Sequence, residues 1–92
     1  MIWAARRDKN EREIIDALIS RGVTVYQVSS RDLPDLLIMS GGRFYLLEVK
    51  TKTGKLRPGQ REFFRLADEQ GAPAYVVRTV RQALDVLKLG AT

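Results

Sequence analysis

Between residues 10 and 21 the apolar positions Ile14, Ile15 and Leu18 recur at helical spacing, and Gly22 follows as a stop. Asp8 with Glu11, or Asn10 with Glu13, would cap the start of that helix. Residues 23–28 are mostly β-branched or aromatic and predict a strand. Two further apolar runs, 35–40 and 43–50, flank Gly41-Gly42. A glycine pair accepts the positive φ angles that a two-residue hairpin turn needs, so these runs predict a hairpin. The second run is apolar on both faces, which suits a central strand. After a polar loop at 51–57, Pro58 opens a second helix that runs to about Gln70 with Gln60, Phe63, Phe64 and Ala67 on one stripe. Residues 74–78 predict a short strand. Thr79 and Gln82 then form a capping box for a last helix carrying Val80, Ala83, Leu84 and Leu87. The order is αβββαβα, an α/β fold with a small mixed sheet flanked by helices. The hairpin makes part of the sheet antiparallel, and the 74–78 strand joins in parallel through the second helix. Phe63, Phe64, Leu66, Tyr75, Val76, Val77 and Leu84 are expected in the core.

Length and composition narrow what such a fold can do. Ninety-two residues predict a single domain over 1–92 with a thin core. The chain has neither cysteine nor histidine. That excludes disulfides, thiolate zinc sites, cysteine nucleophiles and imidazole bases, and any metal must take oxygen ligands, as magnesium, manganese and calcium do. No apolar run approaches the length of a membrane span, and the N-terminus meets charge at Arg6 without a long apolar stretch. A soluble cytoplasmic protein is therefore expected. The formal net charge is +5, carried more by arginine than by lysine, which suits a phosphate-bearing partner.

The hairpin carries the candidate chemistry. With Gly41-Gly42 as the turn, Ser40 faces Arg43, and the same register brings Asp35 opposite Glu48 on one face, with Cα atoms about 4.5–5.5 Å apart. Lys50, two residues on, projects to that face as well. Two acids opposed on an apolar strand pair repel each other and resist burial, which a divalent cation between them would relieve. A neighbouring lysine can stabilise charge developing on a phosphate. The plainer alternative is that Asp35 begins a strand and Glu48 pairs with Lys50 on a solvated surface.

Leu33-Pro34-Asp35 followed by Leu47-Glu48-Val49-Lys50 resembles the PD-(D/E)xK nuclease superfamily. Within it the chain resembles stand-alone VRR-NUC domains of the kind found in phages, and it is similar to archaeal Holliday junction resolvases over about residues 10–87. The resemblance implies a restriction-endonuclease-like fold. It implies that Asp35 and Glu48, helped by the backbone carbonyl of Val49, bind Mg2+ or Mn2+, and that Lys50 assists the attacking water or the scissile phosphate. Glu11 matches the family's first-helix acid. It lies three and four residues before Ile14 and Ile15, on the buried stripe, whereas Glu13 points elsewhere. Gln60 matches a second-helix glutamine within reach of the site, although Phe64 stands where some relatives carry a tyrosine.

Lys52, Lys55, Arg57, Arg61 and Arg65 follow the strand directly and are candidates for contacting a nucleic-acid backbone, the alternative being an ordinary solvated face. Arg6, Arg7, Lys9 and Arg12 form a second basic cluster. Trp3 could pack on a partner subunit or stack on a base. Ser29 and Ser30 match a loop of the resolvases only loosely. Together these features predict a metal-dependent, structure-specific endodeoxyribonuclease acting as a homodimer on branched DNA such as four-way junctions, in a bacterial host cell if phage-encoded. A same-fold nuclease for flaps or nicked duplex, or a non-catalytic nucleic-acid-binding module, are the competing readings. Neither a membrane partner nor an organic cofactor is expected.

Overall fold

A computed structural model describes residues 9–88. The elements follow the order αβββαβα: α1 (Lys9–Ile19), β1 (Thr24–Gln27), β2 (Leu36–Ser40), β3 (Arg43–Val49), α2 (Pro58–Gln70), β4 (Ala74–Val77) and α3 (Val80–Val86). The strands form one four-stranded sheet in the order β1-β2-β3-β4. β1 pairs with β2 and β2 with β3, both antiparallel, and β4 joins β3 in parallel after the α2 crossover. Gly41 and Gly42 both take positive φ, 59° and 79°, so the turn is of the kind that follows strand twist. It fixes the register from Ser40↔Arg43 to Leu36↔Leu47.

Side-chain alternation along these strands produces two unlike faces. One carries Val25, Leu36, Ile38, Leu47, Val49 and Val77, all buried, under Ile14, Ile15 and Leu18 of α1 and Ala83, Leu84 and Leu87 at the chain's end. This is the core. Thr79 caps α3 by accepting the Gln82 N–H at 3.0 Å, but the Gln82 side chain accepts from Arg78 N–H at 2.7 Å and not from Thr79, so the reciprocal half of the expected box is displaced by one residue.

The opposite face is covered only in part, by α2 over the β3–β4 side. Phe63 and Phe64 meet edge to face there, with centroids 5.6 Å apart, and are half-buried. Leu66 and Tyr75, expected in the core, are 38 % and 41 % exposed. α2 is amphipathic over a narrow stripe that excludes Leu66, and Tyr75 lies on β4, an edge strand. Over β1, β2 and the start of β3 the same face is open: Tyr26 is 54 % and Phe44 60 % exposed. Among the described residues no helix is long and apolar enough to cross a membrane. Trp3, Arg6, Arg7 and Asp8 lie outside the described residues.

Ile38 is fully buried at the centre of the sheet. We predict that Ile38→Ala lowers the unfolding free energy by about 2–5 kcal/mol in urea titrations, whereas Phe44→Ala on the open face costs under about 1 kcal/mol.

Candidate active site

The end of the β2–β3 pair away from the glycine turn gathers Asp35, Glu48 and Lys50. Asp35 stands one residue before β2, and its carbonyl accepts the Val28 N–H at 2.7 Å, which ties it to the end of β1. Its carboxylate Oδ2 accepts the backbone N–H of Val49 at 3.0 Å. The group of Val49 that meets Asp35 is thus its N–H.

Glu48 lies on the face that α2 covers and is 2 % exposed. Its Oε2 accepts a hydrogen bond from Gln60 Nε2 at 2.9 Å and faces Lys50 Nζ at 3.3 Å. Its Oε1 is buried and has no hydrogen-bond partner. Burial, followed by repulsion from Asp35, pushes the Glu48 carboxyl above the usual range, and Lys50 together with the Asp35 backbone N–H pulls it back in part. An unpartnered oxygen on a buried carboxylate costs about 1–3 kcal/mol or more, because nothing replaces the water it has lost. Protonation or a cation would relieve that cost.

Gln60 owes its place to the start of α2. Pro58 occupies the first turn, where its missing N–H is harmless. Gln60 Oε1 reaches back to accept the Arg57 N–H at 2.8 Å, which orients the amide so that its NH2 points at Glu48. One side chain therefore caps the helix and holds the acid. The loop over 28–35 is docked against the same turn. The Asp32 carboxylate packs so closely on Gly59 that an added Cβ would lie 2.4 Å from Oδ1, and the Arg57 guanidinium donates to the Arg31 carbonyl. A side chain at 59 would displace the exposed Asp32 carboxylate.

Glu11 is buried with Ile14, Ile15 and Leu18, and its Oε2 accepts from Gln27 Nε2 at 3.2 Å. Glu13 is exposed. Among the described residues no three acidic side chains are gathered closely enough to hold an ion between them, so Asp35 and Glu48 stand as a pair. The donors at this pair are all oxygen, and with the orphaned Oε1 they fit a hard divalent cation.

The five basic candidates divide into three kinds. Lys52 and Lys55 are exposed on the loop after β3, with no hydrogen bond or ion pair among the described residues. Arg57 and Arg61 donate to loop carbonyls, Arg61 to Leu56 from both Nε and Nη2 at 3.3 and 3.1 Å. Arg65 is committed to Glu62 at 2.8 Å and Glu69 at 3.2 Å on the exposed side of α2. Its hydrogen bond holds the Glu62 carboxyl below its ordinary value. Ser29 and Ser30 are exposed. Sequence reasoning missed Asn10, which donates to the Lys50 carbonyl at 2.9 Å, and Arg78, whose guanidinium holds the loop after Lys50. Only the three-dimensional meeting of α1, β4 and that loop reveals them.

Comparisons with known proteins bear on the family and the fold. A family profile described as the VRR-NUC domain matches residues 3–81. A solved structure described as a VRR_NUC domain superposes with a TM-score of 0.74 at 22 % identity, covering 90 % of this chain and 95 % of its own. No curated protein matches.

Glu48 dictates a pH dependence. Its carboxyl is raised in the folded state, so its favourable contribution is complete below the unfolded value of about 4.5 and is lost as pH rises through the folded value. We predict that in EDTA Glu48→Gln is more thermostable than wild type at pH 7, by about 5 °C for a domain of this size, and that the gap closes at pH 4. Thermal unfolding of both chains at the two pH values checks this. A gap that widens toward pH 4 would contradict it.

Proposed function

The chain belongs to the VRR-NUC family of nuclease-type domains, and from its site we propose that it is a metal-dependent endodeoxyribonuclease that selects DNA by shape. The observation that carries this reading is the buried Glu48 carboxylate, near Asp35, with Oε2 held by Lys50 and Gln60 and Oε1 without a hydrogen bond. A purely structural acid in this position would gain stability by replacement with a neutral residue. A site that must hold Mg2+ or Mn2+ has a use for it.

Asp35 and Glu48 would hold the ion; the resemblance also names the Val49 carbonyl and Glu11, but among the described residues no third acid is gathered with the pair. The bound cation supplies Lewis-acid stabilisation of charge at a phosphate and favours ionisation of water. The rest falls to the chain's own side chains. Lys50 presents an ammonium at the same face and stabilises negative charge on the phosphate oxygens. Gln60 fixes the Glu48 carboxylate so that its free oxygen keeps one direction. Asp35, anchored through Val49 N–H, keeps the second acid from turning away. Lys52 and Lys55, with Arg57 and Arg61 behind them, meet the strand on either side of the cut. Arg65, already paired twice, contributes least.

Neither the helices nor the hairpin offers a base-reading element, so we infer recognition of a branch, such as a four-way junction, over recognition of a sequence. A homodimer suits symmetric cutting of such a junction. The open sheet face with Tyr26, Met39 and Phe44 gives a second copy an apolar surface to cover.

Cleavage tests the reading. Wild type, Asp35→Ala and Lys50→Ala would be incubated with a four-way junction, a flap, a nicked duplex and a matched linear duplex, each in Mg2+, Mn2+ and EDTA. We expect the wild type to cut the junction in preference to the linear duplex and to lose activity in EDTA, with both variants slowed at least about 100-fold. Preference for the flap or nick would keep the chemistry and change the substrate. Undiminished binding with no cleavage in either metal would replace the nuclease with a binding module. Sedimentation should give a dimer at micromolar concentration. A monomer that cuts junctions at full rate would contradict the dimer.

A further inference from the structure

The segment 51–57 leaves β3 directly after Lys50 and has no helix or strand of its own. Such a stretch would be mobile unless its backbone were held. Two side chains from distant parts of the chain hold it. Arg78, just past the end of β4, directs Nη1 to the Thr51 carbonyl and to the Gly54 carbonyl, the latter at 2.7 Å. Asn10, in the first turn of α1, donates Nδ2 to the Lys50 carbonyl at 2.9 Å and to the Arg78 carbonyl at 3.4 Å. The Lys50 N–H is bonded to the Val77 carbonyl at 3.1 Å, and the Arg78 N–H to Gln82 Oε1 at 2.7 Å. Three carbonyls at 50, 51 and 54 are therefore fixed to α1 and β4, and the Gly54 N–H closes the turn on Thr51.

What the clamp leaves outside is informative. Lys52 lies between the fixed carbonyls and Lys55 directly follows them, both exposed and without partners among the described residues. Asn10 and Arg78 also line a hollow of about 340 Å3 that Lys9 and Lys52 flank against a single acid, Glu13. Arg78 is only half-buried, yet its Nη1 turns inward to carbonyls. A lysine on a free loop loses backbone as well as side-chain freedom when it meets a phosphate, whereas on a held loop only the side chain is ordered.

We propose that Arg78 and Asn10 are positioning residues, which hold the Lys50–Gly54 backbone so that Lys52 and Lys55 meet the DNA backbone preorganised. The proposal rests on the nuclease reading for its substrate, and it assigns Arg78 a role without contact to DNA.

The test uses the full chain in EDTA, with fluorescence anisotropy on labelled junction DNA and amide hydrogen exchange on the free protein. The variants are Arg78→Met, Asn10→Ala, the double variant Lys52→Met/Lys55→Met, and that double variant combined with Arg78→Met. We expect Arg78→Met and Asn10→Ala to speed exchange at Gly54, whose N–H is bonded to Thr51, while thermal unfolding stays cooperative. Each should weaken DNA binding roughly five- to tenfold in the wild-type background, and Arg78→Met should weaken it less than about twofold once both lysines are gone. An equal loss in both backgrounds would show that Arg78 touches DNA itself, which overturns the proposal. Faster exchange with unchanged affinity overturns it too, and leaves the nuclease reading standing. A wild type that binds no DNA removes the functional reading first, whatever the exchange shows.

Discussion

One buried carboxylate governs the site. Glu48 is placed by the strongest constraint in the fold, the glycine-turn register that buries Leu36, Ile38 and Leu47 on one face and so turns Glu48 to the other, beneath α2. Once there it cannot be solvated. Gln60 and Lys50 satisfy Oε2, and Oε1 is left with nothing. The start of α2 is organised around that acid, since the side chain that caps the helix is also the one that donates to Glu48. Shifting the hairpin by one residue would exchange the faces and dismantle both the core and the site.

The hairpin was the most legible part of the sequence. Gly41-Gly42 announced a two-residue turn, and the turn dictated which residues stand opposite. The helices were legible from Ile14, Ile15 and Leu18, and from Pro58 before Phe63 and Phe64, with ends correct to within a residue or two. Burial on the α2 side was less so. Periodicity says which side of a helix is apolar, not how much sheet that helix covers, so Leu66 is left exposed, while Tyr75 shares the core face with Val77 but stands at the start of an edge strand. In the site, the closeness of Asp35 to Glu48 followed from the register. The amide that Asp35 takes from Val49, and the Asn10 and Arg78 contacts to the loop, depend on how three separate elements meet.

Basic residues are used here in two directions. Arg57, Arg61 and Arg78 donate inward to backbone carbonyls and give shape to the loops around the site, and Arg65 pairs with acids on its own helix. The outward-facing charge next to Lys50 falls to Lys52 and Lys55. The division follows from chemistry: a guanidinium has five donors in a rigid fork and can hold two carbonyls at once, while an ammonium on a flexible stem serves as a point charge for a phosphate.

We propose that a divalent cation completes the Asp35–Glu48 pair. Calorimetric titration of Mn2+ at pH 7 into wild type, Asp35→Asn and Glu48→Gln tests it without any DNA. We predict saturable binding by wild type and its loss, by at least about tenfold in affinity, in each variant. Binding of equal strength in all three chains, or none in the wild type, would contradict it.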